Sequence, residues 1–455
     1  MILVFITALY FAAAIAALVG ERRPLIYGSM VMTVCNDIIL IPASASAPDI
    51  LIFIAKSWRE IVVIICIIMI LSRSGRDVVR IPNDMIFVTV VIVLLTGLGI
   101  ASGSSRGSIM EIFYSWRSYF LPFLVPWGLY VSRSYRDISP VSLYWLFLGL
   151  TSLMALYSIY ATFTFDGNIK DIWFYQFIFD KKTDGNLRAV DVAWSLVRDG
   201  NLRASGFFIS SVDYSMFSGF AAVYAFVGLL YFRPAAFKIP AAIAFFLCLV
   251  AVYVSRTRVG LLILAIAFII GFAYQVLRFR QPMVYALALA GVVAVSIFYI
   301  ATHIGSFEPS LAGRPIQHVS AVSSFRPEGW GFGPVENNGP TYKDSLYLSA
   351  LGTFGVATPL FIWIFIKIQS NINNRFNELR QGQTEYVVAF ASLLSLITFW
   401  YVFGFHYVIG GFSEYVVLLL TFSALQPSGA PNATRSAGGL TGRDMLRLSK
   451  RTLDR

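Results

Sequence analysis

In the stretch YVSRTRVGLLILA, Arg256 and Arg258 stand where one apolar run ends and the next begins, with no room between the runs for a loop. Arginine presents a planar, permanently charged fork that matches phosphate oxygens, so a diphosphate held at headgroup depth is a natural partner. The plainer role is a snorkelling arginine that anchors the hairpin. If the stretch is helical, the two side chains point to different faces. Arg203, in NLRASGFFISSVDYSMF, precedes another apolar run and can reach the same level. Its plainer role is a loop cation paired with a neighbour such as Asp199, an exposed pair of small energetic value.

The stretch RPEGWGFGPVENNGPTYKDSLYLSALGTFGV begins at Arg326 and ends at Val356. Gly329, Gly331 and Gly333 permit tight or left-handed backbone and close approach by a ligand. Trp330, Phe332 and Tyr342 supply faces on which sugar rings can rest. Asp344 follows at the start of an apolar run, where a carboxylate can accept a proton from an attacking hydroxyl. Capping of the helix that begins at Ser345 is the plainer role for Asp344. Lys56, Arg59 and Glu60 interrupt a third apolar run, Arg117 opens a fifth, and Glu414 is a further acidic residue beside an apolar run. Charges at membrane depth face a cavity or a partner, which makes Arg59 and Arg117 functional candidates; the competing account lays residues 49 to 60 flat on the surface.

The elements that must position these groups are helices. The chain has 455 residues, of which 57% are hydrophobic and 13% charged, with a mean hydropathy of +0.72. Such a composition indicates a polytopic membrane protein, and runs long enough to cross about 30 Å of hydrocarbon, without strict alternation, indicate α-helices rather than a barrel. The expected fold is an all-α transmembrane bundle of about twelve to thirteen spans, near 2–19, 25–41, 50–71, 84–101, 117–131, 140–162, 212–231, 238–254, 258–276, 283–300, 344–366, 386–402 and 408–425. This integral domain covers 1–425, and a basic tail at 426–455 reads as disordered.

The net charge of +11 does not indicate nucleic acid, because the basic residues are spread over many short loops. Arg22 and Arg23, Arg73, Arg76 and Arg80, Arg133 and Arg136, Arg233 and Lys238, Arg278 and Arg280, and Lys367, Arg375 and Arg380 all fall on one side of this arrangement, the cytoplasmic side by the positive-inside rule. Two long loops, near 163–211 and 301–343, are then left on the other side. Trp173, Phe174, Tyr175, Phe177 and Phe179 suggest that the first lies partly along the interface. The three cysteines, Cys35, Cys66 and Cys248, have no metal-like spacing. His303, His318 and His406 are dispersed, and no P-loop, HExxH or GxSxG occurs. Neither a metal nor a cofactor is expected.

The Gly-rich loop and following helix resemble those of the O-antigen ligase and O-antigen polymerase superfamily of bacterial inner membranes. The ligase branch carries His, then Asn, Ser or Gln, nine residues, Gly, two residues, and Gly, Thr or Tyr; Asp344, Ser345, Gly355 and Thr358 fit that frame except at its first position. SRTRVGLL resembles the family's Arg-containing helix start, with Arg258 aligning better, and LRASGFF resembles its Arg-x-x-Gly-aromatic stretch. These matches cover roughly residues 200 to 366.

The resemblance implies polymerisation of undecaprenyl-diphosphate-linked repeat units, of an O-antigen or exopolysaccharide, at the periplasmic face of the inner membrane. In that frame Arg203, Arg256 and Arg258 hold the diphosphate, Asp344 acts on the acceptor hydroxyl, and Arg326, Glu328 and Lys343 join Trp330 and Tyr342 in contacting glycan. Implied partners are the lipid-linked substrates, membrane lipid, and a chain-length regulator and flippase of the same pathway. Asp344 in place of histidine favours a polymerase over a ligase that transfers glycan to a lipid or protein acceptor. A lipid-linked saccharide flippase is the alternative from another class; it would carry its charges along a central pathway.

Overall fold

A computed structural model describes residues 2–44, 47–73, 83–105, 107–184, 196–198, 200–275, 323–333, 346–381, 383–405 and 412–426. The chain opens with α1 (Ile2–Val19), α2 (Arg23–Ser44), α3 (Asp49–Lys56), α4 (Trp58–Arg73), α5 (Asn83–Gly103), α6 (Ile109–Val131), α7 (Pro140–Thr164) and α8 (Trp173–Asp184). After a short antiparallel ribbon, β1 (Val197–Arg198) with β2 (Asn201–Leu202), come α9 (Ser211–Tyr231), α10 (Ala235–Val254) and α11 (Arg258–Gln275). The last described helices are α12 (Leu346–Phe354), α13 (Thr358–Glu378), α14 (Thr384–Phe405) and α15 (Phe412–Leu425).

The protein is a helical membrane bundle. Among the described residues, eight stretches are long and apolar enough to cross a membrane by length and composition: those of α2, α5, α7, α9, α10, α11, α14, and the combined run Leu346–Glu378. Several polar side chains inside the helices satisfy themselves locally. Ser29, Thr33, Thr151, Ser158, Thr398 and Thr421 each donate to the carbonyl four residues earlier, which removes the cost of an unpaired hydroxyl in an apolar medium. The stretch of α14 is the most enclosed, followed by that of α9. In contrast α5 turns Phe87, Val90, Val93 and Leu94 outward, a broad apolar face suited to lipid.

Several expected spans are divided or displaced. The run 50–71 breaks at Ser57 into α3 and α4, leaving Lys56 exposed at the end of the short helix. The span expected to begin at Arg117 begins instead at Ile109, because Ser108 and Glu111 form a reciprocal capping box. The run 344–366 bends at the 3-10 turn Gly355–Ala357. There Thr358 Oγ1 donates to the carbonyl of Ala350 at 3.0 Å, whereas eight residues of continuous helix would separate the two by about 12 Å. Beyond the bend α13 continues to Glu378, so Lys367 and Arg375 lie on a helix rather than in a loop. The expected span 283–300 and the tail lie outside the described residues.

The bundle has two ends. At one, Arg22 donates to the carbonyls of Ser132 and Arg133, Arg23 to that of Asp137, and Arg233 to that of Gln381. These contacts join several of the basic loops in pairs. The other end, called the mouth below, carries α8, the ribbon and the segments considered next. The aromatic residues of α8 divide: Trp173 is exposed, while Phe174 and Tyr175 are buried in a small satellite core with Leu196 and Leu202.

Candidate functional site

The segment after β2 crosses the mouth and is pinned at several points. The backbone N–H of Arg203 donates to Leu196 O at 2.7 Å, that of Ala204 to Val254 O at 3.1 Å, and that of Ser205 to the Tyr175 hydroxyl at 2.6 Å. A turn follows, closed by Phe208 N–H on Ser205 O at 2.9 Å, with Gly206 at φ +58°. That left-handed residue sits against Tyr214 and Met154, where a Cβ would collide, so glycine is required twice over. Finally Ile209 N–H donates to Asp37 Oδ2 at 3.2 Å, just before Ser210 caps α9.

The Ala204–Val254 bond brings Arg203 into the corner where α10 turns into α11. Arg256 occupies this turn at φ +51°, half-buried, with its N–H on Tyr253 O at 3.1 Å. A positive φ is uncommon for a residue with a Cβ and costs about 1 to 2 kcal/mol. Arg258 is the first residue of α11 and is exposed. Arg256 and Arg258 therefore do not share a helix, and the separation of faces that a continuous helix would impose does not apply. Ser255 and Thr257 brace the turn through their hydroxyls, 3.1 Å apart, and Thr257 O accepts from Ser215 of α9 at 3.5 Å.

A second group of charges lies where α2, α4, α6 and α15 meet the same crossing segment. Glu60 and Arg117 form an ion pair, Nε to Oε1 at 2.8 Å, and Arg117 Nη2 also donates to Lys56 O at 2.6 Å. Arg117 thus ties the end of α3 and the first turn of α4 to α6. Arg59 is held differently: its guanidinium lies over the rings of Trp58, Phe412 and Tyr415 at 5.5, 5.5 and 4.9 Å. Phe412 in turn stacks on Phe208 of the crossing segment, with ring centroids 4.9 Å apart. Asp37, within electrostatic reach of Arg59, also accepts from Asn36 Nδ2 at 2.9 Å, and Asn36 accepts from Trp58 Nε1 at 3.3 Å. Asp213, in the first turn of α9, lies within electrostatic reach of Asp37. Glu414 is buried in the first turn of α15. Asp37 and Asp213 escape notice in the chain because each opens or interrupts an apolar run singly; an acidic residue inside a span is itself the signal that flags them.

The Gly-rich loop is a clasp. Trp330 N–H bonds to Gly352 O at 2.7 Å, Gly331 N–H to Thr353 O at 3.0 Å, Phe332 N–H to Gly99 O at 2.8 Å, and Val356 N–H to Pro327 O at 2.8 Å. Gly329, Gly331 and Gly355 have φ values of +73°, +74° and +54°. A Cβ on Gly331 would strike the backbone of Gly103, and one on Gly355 would strike that of Pro327. These glycines serve backbone-to-backbone packing between the end of α5 and the bend before α13. The expectation that Phe332 offers a face to sugar is corrected: it is fully buried against Tyr119, Phe120 and Phe354, because the clasp drives it into the core. Trp330 stays half-buried, with the Arg326 guanidinium 3.8 Å from its ring centroid, and its Nε1 donates to Ser324 O at 3.2 Å. Glu328 is exposed, and its carbonyl accepts from Ser102.

Tyr342, Lys343, Asp344 and the three histidines lie outside the described residues. Among the described residues, no three His, Cys, Asp or Glu side chains are grouped to hold a metal ion. Chemically, the mouth offers two arginine groups joined by one short segment: Arg203 with the Arg256–Arg258 turn, and Arg59 in its aromatic box. Compared with known families and with curated proteins, the chain matches no family model and no curated sequence.

Proposed function

We propose that the protein is a bacterial inner-membrane glycosyltransferase that polymerises undecaprenyl-diphosphate-linked repeat units, with the mouth facing the periplasm. The observation that carries the reading is the Ala204–Val254 bond, which draws Arg203 to the arginine turn at the head of α11. Three permanent cations in one corner suit a diphosphate leaving group. In the reaction, the acceptor hydroxyl oxygen bonds to the anomeric carbon of the donor glycan. The bond from that carbon to the diphosphate oxygen breaks, and its electron pair departs with undecaprenyl diphosphate, which Arg203, Arg256 and Arg258 stabilise. The hydroxyl proton passes to Asp344. Arg326 and Trp330 offer a cationic and aromatic surface to the glycan, and the proposed partners are membrane lipid and a chain-length regulator and flippase of the same pathway.

The test is turnover by purified protein in detergent with a native lipid-linked repeat, read as a ladder by gel or mass spectrometry. Arg258→Ala lowers the rate by about 100-fold or more, the scale of losing one group that stabilises developing charge. Asp344→Asn abolishes the ladder. Wild-type protein that yields no ladder from a verified repeat overturns the polymerase reading in favour of ligation to another acceptor or of transport.

A further inference from the structure

Arginine has five N–H donors in one plane and two apolar faces. At Arg59 the three surrounding rings attract the cation but accept none of those in-plane hydrogen bonds. Among the described residues, no carboxylate lies within ion-pairing distance of Arg59. Glu60 is engaged by Arg117. Asp37 contributes charge nearby, but its oxygens take the N–H of Ile209 and the amide of Asn36. Arg59 is nevertheless only partly buried, so some of its surface stays accessible beside the box. A guanidinium lodged among three rings, with no hydrogen bond to another described residue, keeps its donors for a ligand, and the ligand that fits two parallel N–H donors is an oxyanion, phosphate above all. Arg117 is the internal contrast: its Nε and Nη2 already have partners within the protein.

Location narrows the choice further. Arg59 touches Phe412, and Phe412 stacks on Phe208, four residues after Ala204. Four residues of extended chain span at most about 14 Å, and the Ser205–Phe208 turn shortens this, since the ends of such a turn lie within about 7 Å. The box and the arginine turn therefore share one mouth. Joining two lipid-linked molecules requires two diphosphates at that level, a donor's and an acceptor's. We infer that Arg59 is a phosphate-binding fork and, resting on the proposed polymerase reaction, that it holds the diphosphate of the second lipid-linked substrate.

Native mass spectrometry of the full chain in detergent, with sugar-free undecaprenyl diphosphate and, separately, phosphatidylglycerol, tests this. Wild type binds two undecaprenyl diphosphates. Arg59→Gln and Arg59→Lys each bind one, the second being weakened at least ten-fold, because lysine keeps the charge but not the fork. Arg59→Lys also guards against misfolding: melting like wild type while binding one molecule fits the fork, whereas binding two overturns the second-substrate assignment. If Arg59→Gln sheds phosphatidylglycerol yet still binds two undecaprenyl diphosphates, the fork stands with a phospholipid headgroup as occupant and the second-substrate assignment falls. Binding of both probes as in wild type overturns the inference outright. The ladder assay separates this from the reaction itself: no wild-type ladder, with phosphate binding still dependent on Arg59, removes the polymerase and leaves the fork, whereas an undiminished ladder from Arg59→Gln removes the second-substrate role and leaves the polymerase.

Discussion

Arg256 is the residue where backbone strain and chemistry coincide. Its φ of +51° belongs to the region that glycine enters freely, and strain retained by a bulky residue argues for a use of its side chain. Arg256→Gly is expected to leave stability unchanged or raise it by about 1 kcal/mol, while lowering turnover on the lipid-linked repeat. Thermal unfolding and the ladder assay on one preparation measure both effects; a variant that loses stability and keeps its rate assigns Arg256 to the turn alone. The arginines were legible in the sequence because a charge beside an apolar run stands out. Asp37 carries a similar signal, but its role was not legible, since it depends on Ile209, 172 positions away. Phe332 misled for a similar reason: an aromatic residue between glycines reads as exposed until the helices that enclose it are known.

At the scale of elements, the apolar runs announced the helices, and the interruptions announced several of the breaks. The charged triplet from Lys56 to Glu60 brackets the break at Ser57, and Gly355 marks the bend that divides α12 from α13. What local pattern could not reveal is that the Gly-rich loop and the end of α5 form one backbone clasp, because hydrogen bonds between residues more than two hundred positions apart leave no local periodicity. Gly331→Ala is expected to destabilise the protein by about 2 kcal/mol, since a Cβ meets both an unfavourable φ and the backbone of Gly103. Gly333, with a close neighbour no nearer than 3.9 Å, tolerates the same change. A lowered melting temperature for the first variant only is the expected result; equal effects would show that the clasp is not under tight steric control.

For the whole molecule, the polarity of the bundle follows from which loops meet. Asn201 at the mouth and Glu378 near the basic end are both exposed, while Cys66 and Cys248 are buried and the part-exposed Cys35 is replaced by alanine in the test. Single cysteines at these two positions should therefore separate by side. In intact cells an impermeant maleimide is expected to label Asn201→Cys and to spare Glu378→Cys until the membrane is opened; the reverse pattern would turn the mouth towards the cytoplasm and remove the periplasmic reaction.

The run from Ala204 to Ile209 is tethered at both extremities, to Val254 and to Asp37, with little slack between them. Displacement at one extremity is transmitted to the other through the Ser205–Phe208 turn. In the proposed reaction this segment is the route by which a ligand in the arginine corner and one in the Arg59 box would be coupled, and any such coupling would be reciprocal: whatever factor the first ligand imposed on the second's affinity, the second would impose on the first.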